Sequence, residues 1–179
     1  MMGKVFVFLA DGFEEIEGLT VVDMLRRAEI PTVTVSIGSS RNIIGAHRIE
    51  VEADIMFHEV LEAEGAMYVL PGGMPGTLHL KDHEGLGKLL QKAYKNEKYL
   101  AAICAAPTVF EKYGFLEGRK AIIQLGKTHF IFLKAMGYNE RHKGFEGREA
   151  WDLVSDVLLT SCVTFGQLLN LSGHRFPHR

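Results

Sequence analysis

The chain has 179 residues, enough for one domain with a hydrophobic core and too few for two comfortable ones. Its residues are 47% hydrophobic and 23% charged with a formal net charge of −2, a balance that argues against a polyanion-binding surface and so against a nucleic-acid partner, local basic patches aside. Two cysteines, Cys104 and Cys162, are too few for a disulfide-stapled secreted domain. The apolar run Val5 to Ala10 is too short for a membrane span and lacks a cleavage pattern, so the expectation is a reducing cytoplasm and no membrane.

In chain order, Lys4 to Leu9 (KVFVFL) predicts a buried strand, short, continuous and β-rich, closed by Asp11-Gly12. Glu14 to Arg27 predicts a helix with Ile16, Leu19 and Val22 at helical spacing. Its acidic residues stand in the first turn and Arg26-Arg27 in the last, as the helix dipole favours. Thr32 to Ile37 follows as a second strand, and Ile43 to Glu52 as a short excursion of strands with a possible turn at Gly45. Ala66 to Leu70 is a further buried strand ending at Pro71-Gly72-Gly73. His83 to Lys95 is a helix, Tyr99 to Ile103 a strand and Pro107 to Tyr113 a helix. Strand and helix alternating at this spacing predict a parallel sheet covered on both faces. Past Gly118 the expectations are a strand beginning at Ile122-Ile123, a helix over Phe130 to Met136 and a polar loop over 137–149. A last strand is expected at Val157 to Thr160, a last helix at Phe165 to Leu171 and a frayed basic tail beyond. The domain is taken as residues 1–172, with 173–179 as the tail.

Ligands of an open parallel sheet bind at the carboxyl ends of its strands, and three loops leave such ends. In Leu100-Ala101-Ala102-Ile103-Cys104-Ala105-Ala106-Pro107 a cysteine follows a buried strand directly, with small residues two before and two after it. That is the requirement of a nucleophile elbow, where a tight turn has no room for larger side chains. Pro107 suits the first turn of the next helix, whose N-terminus is expected to lower the thiol pKa. A small buried core cysteine is the alternative. In Pro71-Gly72-Gly73-Met74-Pro75-Gly76, paired glycines let the backbone approach a ligand, and its amides with that of Ala105 could hold an oxyanion; an ordinary turn would look the same. The loop after the first strand supplies Glu14, Glu15 and Glu17. They are either a solvated helical turn or, for one of them, a partner of the thiol. A carboxylate and a thiolate in contact cannot both be charged cheaply, so one should hold a proton.

Together the strings Leu9-Ala10-Asp11-Gly12-Phe13-Glu14-Glu15-Ile16-Glu17, Val22-Asp23-Met24-Leu25-Arg26-Arg27-Ala28, Val69-Leu70-Pro71-Gly72-Gly73 and Ala101-Ala102-Ile103-Cys104-Ala105-Ala106-Pro107 resemble the ThiJ/PfpI superfamily, in its Parkinsonism-associated deglycase-like branch. The resemblance covers roughly residues 3–118, with an echo at Leu158-Leu159-Thr160-Ser161. It implies a flavodoxin-like α/β three-layer sandwich with a mainly parallel sheet and a nucleophile elbow, usually a homodimer, with neither cofactor nor metal. Cys104 would be the nucleophile and Glu17 the protonated carboxyl touching it. Gly73 and Ala105 would supply oxyanion amides, and Gly72, Arg27, Arg48 and His129 would lie at the pocket. The sequence departs from the family where a Gly-Pro-Gly-Thr-like loop is replaced by Cys162-Val163-Thr164-Phe165-Gly166. It departs again where a histidine is replaced by Gln124-Leu125-Gly126, His129 coming a few residues late.

Two functions of different class follow from this resemblance. One is a cysteine-dependent, cofactor-independent glyoxalase or deglycase acting on small reactive carbonyls or their adducts. The other is a redox-sensing stress protein or chaperone with little turnover, since an accessible thiol beside a protonated carboxyl oxidises to a stabilised sulfinate. A cysteine peptidase or amidase is a third reading and needs His129 as its base.

Overall fold

The computed structural model describes residues 3–60 and 65–117. The elements are β1 (Lys4–Leu9), α1 (Glu15–Arg27), β2 (Thr32–Ser36), β3 (Asn42–Ile44), β4 (Glu50–Glu52), β5 (Ile55–Met56), α2 (Phe57–Val60), β6 (Gly65–Leu70), α3 (Gly76–Asp82), α4 (Glu84–Lys95), β7 (Tyr99–Ala102) and α5 (Pro107–Lys112). Five strands form one parallel sheet in the order β5-β2-β1-β6-β7, and β3 and β4 pair antiparallel as a separate hairpin. Among the described residues no helix is long and apolar enough to cross a membrane.

The continuous apolar strands are explained by burial on both faces. Val5, Val7 and Leu9 of β1, Met67 and Val69 of β6 and Ala101 of β7 pack with Val21, Val22 and Leu25 of α1. The alternate residues Phe6, Phe8, Tyr68, Leu70, Leu100 and Ala102 pack with Leu86, Leu89, Leu90 and Ala93 of α4 and Val109 and Phe110 of α5. This is the expected α/β sandwich with helices on both sides of the sheet.

The predicted elements up to residue 117 are present with ends moved by one or two residues. β5, α2 and α3 were not anticipated. Two-residue β5 and four-residue α2 are too short to show a period, and α3 follows a Pro- and Gly-rich stretch that has the composition of a turn. The elements expected at Ile122-Ile123, Phe130 to Met136, 137–149, Val157 to Thr160 and Phe165 to Leu171 lie outside the described residues.

The order of strands positions the site. From β1 the chain moves to β2 on one side, and after β5 it returns to β6 on the other side of β1. The loops leaving β1 and β6 therefore part at a switch point, where an open parallel sheet has its crevice. β7 lies beside β6, so the loop after β7 opens into the same place.

Phe8 lies in the central strand with no exposure. Phe8→Ala should destabilise the fold by about 3–5 kcal/mol, measured by urea unfolding; a loss below about 1 kcal/mol would mean that this face of the sheet is not a packed core.

Candidate active site

Cys104 follows β7 with a φ of +56°. Left-handed backbone costs a residue with a side chain about 1–2 kcal/mol, so the turn is held by its surroundings. Ile103 N–H donates to Leu70 O at 3.0 Å, which keeps the end of β7 on β6, and Ala106 N–H donates back to Ile103 O at 2.9 Å. Pro107 opens α5 at once. Continued strand alternation would send residue 104 to the α4 and α5 face with Ala102. The left-handed turn instead packs Cys104 against the cluster on the α1 face, half-buried, where Glu17 stands. The expected elbow is thus the observed conformation.

Glu17 comes from the first turn of α1 and is 4% exposed. The helix starts there because of its neighbours rather than a side-chain cap. Glu14 at the N-cap is extended and caps nothing with its side chain, and its backbone N–H donates to Gly72 O at 2.9 Å. Gly72 N–H in turn donates to Glu17 Oε2 at 2.8 Å, so one residue fixes both the start of α1 and its carboxyl. A Cβ on Gly72 would lie 2.6 Å from Glu17 Oε2 and 2.8 Å from Cys104 Cβ. Only glycine lets this backbone sit between the two. Gly73 has φ +93°, and a Cβ there would be 2.2 Å from Glu14 N, so the loops after β1 and β6 touch backbone to backbone.

The Glu17 and Cys104 side chains hydrogen-bond to each other, and their titrations are joined. Burial pushes Glu17 up to about 7, against the Gly72 N–H and with the Glu14 charge adding to the rise. Burial, followed by the Glu17 charge, pushes the Cys104 thiol up to about 12, while the Ala105 N–H pulls it down. Between these values the pair shares one proton. The expected lowering of the thiol pKa by the helix N-terminus is not observed. α5 is only six residues long, and burial with a carboxylate in contact outweighs its small dipole.

The acidic first turn is not solvated either, since Glu15 is 5% exposed. It accepts from His47 N–H at 2.7 Å through Oε1 and lies 2.8 Å from His47 Nδ1 through Oε2. Burial pushes Glu15 up, but these bonds and that of the Ile49 N–H outweigh it and hold the carboxyl low. The hydrogen bond to Glu15 raises His47 above an ordinary histidine, with the Glu14 and Glu15 charges adding to it. Ala46 N–H to Phe13 O and Gly12 N–H to Ile44 O complete the seam, so the β3–β4 hairpin is sewn to the glutamate loop.

Of the residues singled out in the sequence, the fold brings Cys104, Glu17, Gly72 and Ala105 together and sets Gly73 beside them. Arg27 ends α1, ten residues after Glu17 and thus about 15 Å along the helix, and pairs with Asp23 at 2.8 Å. It stands away from this pocket. Arg48 lies exposed in the hairpin loop with φ +65°. His129 lies outside the described residues. Sequence reasoning missed His47, because only the fold carries a hairpin turn back onto residues 14 and 15. Glu14, Glu15 and His47 hold donor atoms within 4.8 Å of one another, but the His47–Glu15 hydrogen bond sets their spacing and makes the group an ion pair.

A family model described as the DJ-1/PfpI family matches residues 3–163. The protein DJ-1 homolog B of Arabidopsis thaliana is 34% identical over 119 residues, covering 66% of this chain and 27% of its own length. Deglycase TK1284 of Thermococcus kodakarensis is 32% identical over 117 residues, covering 65% of this chain and 69% of its own. The solved structure of oxidized Toxoplasma gondii DJ-1 superposes with a TM-score of 0.65 at 34% identity, covering 68% of this chain and 66% of that one. The chain thus spans less than a third of the Arabidopsis relative and just under two thirds of the Toxoplasma chain.

Glu17→Gln removes the charge that helps to raise the thiol, so the Cys104 pKa should fall from about 12; pH-dependent alkylation read on the Cys104 peptide checks this. A profile identical to that of the unaltered protein would mean that the two groups are not in contact. The raised Glu17 also predicts how stability depends on pH. The folded state binds the proton more tightly than the unfolded state, so stability is lost as pH rises from 4.5 to about 7. Glu17 is almost wholly buried, which puts this loss on the order of 3 kcal/mol. Urea unfolding across that window should show it, and Glu17→Gln should abolish it.

Proposed function

Given that this chain belongs to the DJ-1/PfpI family, we propose that it is a cysteine-dependent, cofactor-independent enzyme acting on small reactive carbonyls or their adducts, of the glyoxalase or deglycase type. The observation that carries this reading is the one-proton pair of Cys104 and Glu17 at the mouth of the sheet crevice. A carboxyl poised near pH 7 is a far better base than an ordinary glutamate and matches the pH at which it must work. In this reading Glu17 accepts the thiol proton as sulfur bonds to the carbonyl carbon.

With a 2-oxoaldehyde such as methylglyoxal, Cys104 Sγ bonds to the aldehyde carbon as Glu17 takes its proton. That proton passes to the carbonyl oxygen and gives a hemithioacetal. Glu17 then removes the hydrogen of the former aldehyde carbon and returns a proton to the neighbouring carbonyl carbon, while the hydroxyl proton of the first carbon passes to the oxygen of the second, leaving a thioester of a 2-hydroxy acid. Water cleaves the thioester, its oxygen joining the acyl carbon and a proton returning to sulfur. The net change adds one water and needs no external oxidant. The Ala105 N–H bonds to Sγ, which supports reading it as an oxyanion donor, with the N–H of Gly73 proposed as the second.

A second reading, redox sensing with little turnover, is favoured by the half-exposed thiol next to a carboxyl that can donate to a sulfinate. The peptidase reading depends on His129, outside the described residues. A homodimer is proposed from the family alone.

Purified protein should consume methylglyoxal and release lactate. Cys104→Ser should abolish this, and Glu17→Gln should lower kcat by about 100-fold or more, as loss of a general base does. Equal rates for Cys104→Ser and the unaltered chain would overturn the enzyme reading. Sulfinate on Cys104 after mild peroxide, without methylglyoxal turnover, would leave the redox reading in its place.

A further inference from the structure

α1 begins without a side-chain cap of its own. The N–H groups of a first turn have no intrahelical partners, so this turn is positioned by what grips it from outside. Among the described residues it is gripped from two sides. On one, Glu14 N–H donates to Gly72 O and Gly72 N–H donates to Glu17 Oε2. On the other, the β3–β4 hairpin takes hold of Glu15, the first helical residue. His47 N–H donates to Glu15 Oε1 at 2.7 Å, and His47 Nδ1 lies 2.8 Å from Oε2. The acceptor is a carboxylate, so Nδ1 carries the hydrogen of that bond in the neutral ring and the charged one alike. One residue thus engages both oxygens. The glutamate lies directly against the hairpin backbone, since a Cβ on Gly45 would be 2.2 Å from Oε1 and 2.5 Å from Cγ. Glu15 and Glu17 are two residues apart, so at about 3.6 residues per turn their side chains leave the helix about 200° apart. The hairpin therefore holds one side of the turn, and Gly72, Glu17 and Cys104 meet on the other. A carboxyl about 6 Å from the helix axis moves about 1.5 Å when the turn rotates by about 15°, more than a hydrogen bond tolerates.

We propose that His47 is a positioning residue of the candidate active site: by holding both oxygens of Glu15 it fixes the rotation of the first turn of α1 and so keeps the Glu17 carboxyl on Cys104. It acts through Glu15 and the helix rather than on the thiol. The inference deepens the reading of Glu17 and Cys104 as a working pair and rests on it, while carbonyl turnover is a separate matter. Two bonds to one carboxylate fix its orientation, whereas a carboxylate held by Oε1 alone can pivot about that bond. The His47 side chain is 66% exposed, so its replacement opens no cavity, and the backbone bond to Oε1 survives any side chain. What a substitution removes is the bond to Oε2. Asparagine restores an amide N–H close to the place of Nδ1, and glutamine carries its amide one carbon further out.

The test follows alkylation of Cys104 by iodoacetamide against pH in the intact protein, read on the Cys104 peptide by mass spectrometry, apart from Cys162. His47→Gln should lower the midpoint of the profile by about half a pH unit or more, a change of about 3-fold in the thiolate fraction below it. The direction is that of Glu17→Gln, since a carboxyl drawn off the thiol no longer helps to hold the proton there. His47→Asn should leave the profile in place. On a Glu17→Gln background His47→Gln should add nothing, because the residue through which it acts is gone. Glu15→Gln weakens the same bond from its other end and should shift the profile as His47→Gln does, so the result does not hang on the folding of one variant. A merely structural role for His47 would lower the urea midpoint and leave the profile where it is. Profiles unmoved by both His47→Gln and Glu15→Gln overturn the inference. So does a shift as large in His47→Asn as in His47→Gln, or one that persists in full without Glu17. Methylglyoxal turnover is measured separately. The expected shifts without turnover would remove the carbonyl-enzyme reading and leave the role of His47 standing, and turnover with unmoved profiles would do the reverse.

Discussion

The buried carboxyl of Glu17 and the thiol of Cys104 hydrogen-bond to each other, burial raises both, and the rest of the site is arranged around that contact. Two negative charges in contact away from water would cost several kcal/mol. The fold avoids this cost by leaving a proton between them, and the carboxyl and the thiol are held together. Gly72 must be bare for the two to meet, α1 must begin where Glu14 turns to Gly72 O, and the chain after β7 must reverse its side-chain alternation at Cys104. Each is a local backbone requirement set by one side-chain contact.

The raised thiol changes the usual argument for a reactive cysteine. A low pKa makes a resting thiolate, whereas here burial and the Glu17 contact keep the proton on sulfur at rest. Under the proposed function the thiol would pass that proton to Glu17 as it attacks. The same burial that raises both groups also keeps the exchange between them, since a solvated carboxylate would titrate near its ordinary value and offer little basicity at neutral pH.

The hairpin of β3 and β4 has a part beyond covering the sheet. Through Ala46, His47 and Ile44 it is sewn to the loop that carries the glutamates. Glu15 is thereby used as a structural anion, its charge met by His47, while Glu17 bonds to the thiol. Carboxylates close together in sequence thus have different tasks: Glu14 and Glu15 turn to His47 and Glu17 turns to Cys104.

The amino-acid sequence alone was enough for the α/β class and the parallel sheet, and it offered the elbow at Cys104 and a glutamate beside the thiol each as one of two readings, between which the family resemblance chose. Strand runs without alternation mean burial on both faces, and small residues flanking a cysteine after such a strand mean a tight turn. These are short-range patterns, legible because the cause lies within a few residues of the effect. It also suggested a lowered thiol pKa, whereas burial raises it, and of the two readings of the acidic turn the solvated one is not found. Burial and contact between residues 17 and 104 depend on how β1, β6 and β7 lie side by side, which no local pattern records. The same holds for His47, which reaches Glu15 only because a hairpin outside the main sheet folds back on it, and for Arg27, which helix geometry carries away from the pocket. Tertiary structure decided which side chains meet and how far water is kept from them, and those two quantities set the charges on which the chemistry depends.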